Sequence, residues 1–283
     1  DFYKSTKLRS TTDAIREYVT MSVRFPDFGK RELIPLTPYC ERVVPVISYL
    51  HESISLERIK METIQFRNNF PRVAFRIKVQ EFDHVFSCVE TLISSGDYLI
   101  LDIESASHMS PVFKKIYKRI AESKRKLGFT SVIINAHRPE GLTNKEMLDG
   151  EPIADIDNSL KELYSTVYMH KFDGFGDYAC ISAALPSTGG AISPVGIYYS
   201  NENNYFVAYK GRAPQLSEFP TYIAPRIIES EYWKEFSDTH HENCAGCKEI
   251  AEIVSGAKSG RNQAQWKMIT MLHYIYTMFE TSA

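Results

Sequence analysis

The sequence has no apolar run as long as the roughly 18 residues that a membrane-spanning helix needs. Its compact apolar runs, such as Tyr98 to Leu101, have the length of a β-strand. An excess of one charge is also lacking, because 33 Lys and Arg stand against 35 Asp and Glu, a formal net charge of −2. These absences argue against a membrane protein and against recruitment of nucleic acid by overall charge. Any contact with nucleic acid would need a local basic patch.

Cysteine is scarce, and its number, five, is odd. Cys40, Cys88 and Cys180 stand alone among core-like residues, which argues against a disulfide framework and for a reducing compartment. We therefore expect a cytoplasmic protein. Because the sequence opens at Asp1 without Met or a leader, we also expect it to be a trimmed piece of a longer chain and not a secretory precursor.

What the sequence does contain is material for a core. Hydrophobic residues make up 43% of the 283 residues, and 17 Tyr and 16 Phe make the chain rich in aromatic side chains. This composition excludes a disordered chain, a collagen and a small disulfide scaffold. Aromatic side chains suit both a β-containing core and a surface that binds a partner protein.

Strand-like and helix-like segments alternate through the first half of the chain, which is typical of βα repeats with parallel strands. The strand-like segments are 43–47, 73–79, 98–103 and 131–135. Later, 177–182, 194–199 and 205–209 indicate antiparallel strands, with a hairpin turn centred on Asn203. We predict an α/β fold: a (β/α)-barrel-like body of parallel strands over residues 1–172, and, over 173–283, an antiparallel hairpin and a C-terminal helical extension packed on that body.

Polar residues stand at or just beyond the ends of the predicted strands, where barrel enzymes place their active residues. Asp102 and Glu104, two residues apart on one strand, could share a magnesium ion or a proton. With Arg76 and His137 they form a candidate catalytic set. The alternative is structural: Asp102 pairs with an arginine inside the body, and Glu104 is a solvated acid at the start of the next helix.

A second candidate site lies near the C-terminus. Cys244 and Cys247 form a C-x-x-C pair, and thiolates and imidazoles are ligands that zinc accepts in a tetrahedral shell. The predicted set is Cys244, Cys247, His273 and one of His240 or His241, with His240 preferred. We expect a loop over 240–247 and a final helix over 263–279. The alternative to a metal site is that 244–247 is only a tight turn and that His273 is a packed helix residue.

An ordered series of short segments in the second half resembles the protein beta family, named for a satellite-phage gene. The segments are Gly174 to Tyr178, Gly189-Gly190 with Pro194, Gly196 to Tyr199, Ala208 to Gly211, Ile223 to Pro225, Ser255-Gly256, Gln265 to Lys267 and His273 to Ile275. The first half is similar only in its strand pattern.

The resemblance implies a bacterial or prophage protein with a barrel of the (β/α)8 type and a C-terminal extension, and it brings no enzymatic activity. One member resembles the middle component of a three-gene anti-phage system that restrains a neighbouring toxin. We therefore expect a defence component of the toxin-antitoxin kind that binds a partner protein encoded in the same locus. The alternative is a metal-dependent enzyme on nucleotides or nucleic acid using the strand-end acidic residues. A DNA-binding regulator is disfavoured by the net charge.

Overall fold

The computed structural model describes residues 41, 43–49, 56–106, 110–136, 138–139, 141–153, 167, 169–181 and 192–282. In chain order its strands are β1 Val46–Tyr49, β2 Ala74–Lys78, β3 Tyr98–Asp102, β4 Thr130–Asn135, β5 Glu151–Pro152, β6 Gly174–Asp177, β7 Val195–Ser200 and β8 Tyr205–Lys210. Its α-helices are α1 Leu56–Arg67, α2 Phe82–Glu90, α3 Phe113–Leu127, α4 Ala224–Glu229, α5 Glu231–Lys234, α6 Asp238–Asn243, α7 Ala245–Val254 and α8 Gln263–Ser282. A 3₁₀ turn over Val79–Glu81 precedes α2, and a π-helical turn over Phe219–Ile223 precedes α4.

The strands form two sheets. Five strands make a parallel sheet in the order β1-β2-β3-β4-β6, and three make a separate antiparallel sheet in the order β5-β8-β7. The chain also divides into two compact units, whose described residues fall within 1–102, 114–133 and 170–174 for the first, and within 103–113, 134–169 and 175–283 for the second. The predicted α/β class is confirmed. Closure of the parallel sheet into a barrel, and packing of the extension on that body, stay predictions.

The first unit contains the beginning of the βα repeat. β2 pairs in parallel with β1 and with β3, placing Ala74 opposite Val46 on one side and opposite Tyr98 on the other. Helix α2 buries Val85 and Phe86, the apolar face that the sequence period predicts. In α3 the apolar period predicts a buried face made by Val112, Phe113, Ile116 and Ile120. Ile120 is buried, whereas Val112 precedes the helix and is 69% exposed.

One predicted strand is wrong. The segment expected as an antiparallel strand over 177–182 is strand β6 over Gly174–Asp177, and it belongs to the parallel sheet. Asp173, the residue before β6, is held beside Ser131 by two hydrogen bonds. Its backbone N–H donates to the carbonyl of Ser131 at 2.8 Å, and its carboxylate accepts from the Ser131 N–H at 2.7 Å. Strand β6 ends early because Ala179 and Cys180 have φ of 46° and 61°, which no strand can continue through.

The second unit is built on the predicted hairpin. β7 and β8 pair antiparallel with Ser200 opposite Tyr205, so the turn includes Asn203, as expected. Val195 and Tyr199 are buried together in one cluster, and Ile197 packs against it. The alternation along this strand predicts that these three side chains pack on the βα body, and that packing stays a prediction. Helix α8 lies along β7: Thr270 Oγ1 donates to the carbonyl of Ile197 at 2.8 Å.

Candidate metal centre

The sequence segment 240–247 folds as two short helices, which corrects the expected loop. Ser237 caps α6, its hydroxyl accepting from the N–H of His240 at 3.2 Å. Cys244 is the N-cap of α7, and its Sγ accepts from the N–H of Cys247 at 3.5 Å. A side-chain acceptor at each helix start satisfies N–H groups that the helix itself leaves free. His240 therefore lies in α6, and Cys244 and Cys247 lie at the start of α7, within one short stretch of chain.

His273 completes the group from the middle of α8. Each of His240, Cys244, Cys247 and His273 is buried, and one ligand atom from each lies within 4.8 Å of those of the others. His273 Nδ1 is 3.7 Å from Cys244 Sγ and 3.5 Å from Cys247 Sγ. In a tetrahedral zinc site, bonds of about 2.3 Å to sulfur and 2.0–2.1 Å to nitrogen place such atoms about 3.6 Å apart. The structure thus brings the predicted ligand set together in a spacing that could hold a metal ion.

Each histidine of the cluster has one ring nitrogen hydrogen-bonded to a group that is not a proposed ligand. His273 Nε2 donates to the backbone carbonyl of Tyr199 at 3.0 Å, which leaves Nδ1 as the nitrogen with a free lone pair. His240 Nδ1 is bonded to Glu280 Oε2 at 2.6 Å, whereas its buried Nε2 has no hydrogen-bond partner. Outer partners of this kind, a carbonyl and a carboxylate, accompany metal-binding histidines in proteins. The two imidazoles are therefore arranged to bind through different nitrogens.

The electrostatics of the pair of thiols favour one thiolate. The neighbouring Cys247 thiol, and then the His240 and His273 rings, hold the pKa of Cys244 well below its usual range against the opposing effect of burial. The neighbouring Cys244 sulfur, together with burial, raises the pKa of Cys247. The thiolate is the form that binds metal, so a lowered pKa at Cys244 favours metal binding at that residue.

Aromatic rings enclose the cluster. Tyr198 stacks on His273 with ring centroids 4.0 Å apart, and its hydroxyl lies 3.7 Å from Cys247 Sγ. Phe236 packs on His240 at 4.3 Å. His241, the alternative ligand, stacks on Trp233 at 4.1 Å and is not in the cluster, so the preference for His240 is the one that the geometry supports. All four ligand positions are filled by side chains, which is typical of a structural and not a catalytic zinc site.

Two groups that bind the histidines of the cluster are not predicted from the sequence. They are the carbonyl of Tyr199 and the carboxylate of Glu280. Glu280 does carry a weak signal. It lies seven residues after His273, two helical turns along the same face of the final helix, where a residue can reach the same neighbourhood. The Tyr199 carbonyl carries none, because a backbone group is present at every position.

The strand-end candidates are arranged differently. Arg76 Nε donates to Asp102 Oδ2 at 2.9 Å, and the Asp102 side chain is fully buried while that of Arg76 is 25% exposed. Glu104 lies in a turn with φ of 48°, not at the start of a helix, and its carbonyl accepts from the N–H of Ala136. His137 lies outside the described residues. Their catalytic role stays a prediction.

A two-unit α/β protein with a buried His2Cys2 cluster is the class that this fold and this site define. The chain belongs to the Beta protein family, whose model matches residues 7–280, nearly its whole length. The family resemblance is thereby confirmed. Neither the curated proteins nor the solved structures that were compared with the chain include a match. In the part of the chain that the structure describes, no helix combines the length and apolar character needed to cross a bilayer.

Proposed function

We propose that this protein is a binding component of a bacterial or prophage anti-phage defence system, and that a structural zinc ion holds its second unit together. The observation that carries the zinc assignment is the closed set of four buried ligands, His240, Cys244, Cys247 and His273. A site with every position filled by protein leaves no room for substrate. The ion would stabilise the helices that carry its ligands and perform no chemistry.

The choice of zinc follows from the donor set. Two thiolates and two imidazoles in tetrahedral spacing suit zinc, whereas calcium and magnesium require oxygen ligands. Helices α6 and α8 and the start of α7 supply the ligands, so an ion would cross-link three helices. Binding energy would then appear directly as folding energy of the second unit.

The metal proposal is tested by elemental analysis of the purified full chain. We expect about one zinc ion per chain, and loss of that zinc in the variant Cys244→Ser with Cys247→Ser. Cys88→Ser is the matched control, because Cys88 lies in α2 of the first unit and its change should leave the zinc content unaltered. A wild-type chain purified in zinc-containing medium without bound metal would contradict the proposal.

The binding role is supported by an apolar stripe on the outer face of α8. Met268, Ile275 and Phe279 are 46%, 57% and 71% exposed, and their spacing of seven and four residues puts them on one side of the helix. Exposed apolar side chains that share one side of a helix are candidates for an interaction surface. The family resemblance supplies the expected partner, a protein encoded in the same defence locus in the bacterial cytoplasm.

Copurification with the products of the neighbouring genes tests this role. Ile275→Lys should weaken capture of the partner and reduce phage protection, because a charge is placed in the middle of the stripe. Val254→Lys is the matched control, an exposed apolar residue at the end of α7. Equal capture by both variants and by wild type would remove the α8 stripe as the binding surface.

The enzyme alternative, built on Asp102, Glu104, Arg76 and His137, is less well supported because the Asp102 carboxylate is buried and already paired with Arg76. As a structural residue, Asp102→Ala should leave a part-buried guanidinium without its carboxylate and lower the free energy of unfolding by about 3 kcal/mol. Asp83→Ala, at a 94% exposed side chain, is the control. Urea denaturation measures both. A folded, equally stable Asp102→Ala chain that has lost phage protection would instead favour the enzyme.

A further inference from the structure

The contact between Glu280 and His240 joins a surface carboxylate to a buried ring. The Glu280 side chain is 42% exposed, that of His240 only 3%, and the Oε2 to Nδ1 distance is 2.6 Å. A carboxylate accepts hydrogen bonds and does not donate them, so the proton of a neutral His240 ring must reside on Nδ1. The lone pair is then on Nε2, the atom that is buried without a hydrogen-bond partner.

We propose that Glu280 is the positioning residue of the metal centre: it commits His240 to bind through Nε2 and holds the ring in the orientation that the ion requires. This inference rests on the proposed metal site and adds a residue that is not itself a ligand. Glu280 touches His240 and acts on the ion only through that ring.

The arrangement on His273 shows why such a residue is needed. For His273 a backbone group fixes the tautomer, because Nε2 donates to the carbonyl of Tyr199 in β7. His240 lies on a helix of six residues, Asp238–Asn243, and its ring packs on the rings of Phe236 and Tyr276. Such ring-to-ring contacts do not select one of the two imidazole nitrogens. Glu280 therefore provides the polar contact that selects one tautomer of His240.

Loss of Glu280 should lower the affinity of the site for metal. Without Glu280 a free His240 ring would exchange between two tautomers and several orientations, and part of the population would point a protonated nitrogen at the thiolates. A carboxylate on Nδ1 also makes the opposite nitrogen a stronger donor to the metal. Loss of an outer partner of this kind typically weakens metal binding by about 10- to 100-fold.

The experiment is a cobalt titration of the metal-free full chain, followed by zinc competition, in wild type, Glu280→Ala, Glu280→Gln and Glu242→Gln. Glu242 is exposed on the same helix as His240 and serves as the matched control. We expect the thiolate-to-cobalt charge-transfer band and tetrahedral visible bands in all four. Affinity should fall about 10- to 100-fold in Glu280→Ala, less in Glu280→Gln, whose amide oxygen can still accept from Nδ1, and not in Glu242→Gln.

A nitrogen NMR spectrum of the histidine rings provides a second readout that a merely structural role would not move. In the metal-free protein the His240 tautomer should shift from Nδ1–H toward Nε2–H in Glu280→Ala, while His273, held by Tyr199, keeps its tautomer. Cobalt affinity and a His240 tautomer equal to those of Glu242→Gln would overturn the role of Glu280 and leave the metal site standing. Failure of the wild-type chain to bind cobalt would overturn both.

Discussion

Gly246 allows α7 to lie against α8 beside the metal centre. A Cβ atom at this position would stand 2.7 Å from the backbone nitrogen of His273 and 2.7 Å from the carbonyl oxygen of Ile269. Both are backbone atoms of a long helix and cannot step aside as a flexible side chain can. The absence of a side chain at one residue therefore sets how closely His273 approaches the thiols of Cys244 and Cys247.

Gly246→Ala should push the two helices apart and open the ligand set. We expect a loss of about 1–3 kcal/mol in the free energy of unfolding, the usual cost of an added methyl group in a packed site, and weaker zinc binding. Ala245→Ser, one residue earlier and exposed, is the control. Chemical denaturation and zinc competition measure the two effects. Unchanged zinc affinity would show that the helices can adjust.

The carboxylate of Glu235, the residue that follows α5, fixes the turn between β7 and β8. Glu235 accepts from the Ser200 hydroxyl at 2.6 Å and from the N–H groups of Asn201 and Glu202 at 2.9 and 3.2 Å. Its other contact in the turn is the side-chain amide of Asn203. Hydrogen bonds to a charged acceptor are stronger than neutral ones, so the hairpin and the helix stabilise each other.

Glu235→Ala should loosen the turn without unfolding the unit. We expect hydrogen exchange at the N–H groups of Asn201 and Glu202 to accelerate, and stability to fall by about 1.5–3 kcal/mol. Glu202→Ala is the natural comparison, because its side chain is exposed in the same turn while its backbone N–H still donates to Glu235. If the two variants exchange at the same rate, the carboxylate does not hold the turn.

The long elements could be predicted from the sequence, and the short ones could not. Strand β3 and helix α8 match expectation closely because apolar period and turn residues act locally. Helix α6 has six residues, too few to show a period, and its start depends on a serine cap. Helix α7 starts at a cysteine cap, which is outside the usual set of capping residues.

The members of the His2Cys2 cluster could be predicted because C-x-x-C spacing and the presence of histidines are visible in the sequence. The hydrogen-bond partners of those residues could not be predicted. The pairing of Glu280 with His240 depends on how α8 crosses α6. The sequence offers an ion pair of Asp102 with an arginine as an alternative to a catalytic site, and position at a strand end does not decide between the two. Contacts of this kind are decided by tertiary packing, for which a single sequence carries no local signal.

For the molecule as a whole, removal of metal should affect the two units unequally. Every proposed ligand belongs to the second unit, and none to the first. Since binding energy stabilises only the elements that it joins, a chelator such as 1,10-phenanthroline should destabilise the α6–α8 region and leave the parallel strands β1 to β3 protected. Hydrogen exchange followed by mass spectrometry resolves the two regions.

The control is the Cys244→Ser, Cys247→Ser chain, on which the chelator should have no further effect. Equal loss of protection in both units would mean that they unfold as one, and no loss in either would mean that the centre contributes nothing to stability. Adding zinc back in slight excess should restore protection of the α6–α8 region alone.

The ribosome adds the proposed ligands in the order of the sequence, and His273 comes last. His273 Nδ1 follows Cys247 by 26 residues, so a ribosome moving at about 5–20 residues per second completes the thiol pair some seconds before the last histidine exists. During that interval the chain can offer at most three of the four proposed ligands. A closed metal site would therefore form only after the middle of α8 has been synthesised, so a chain that stops short of His273 should fail to retain zinc.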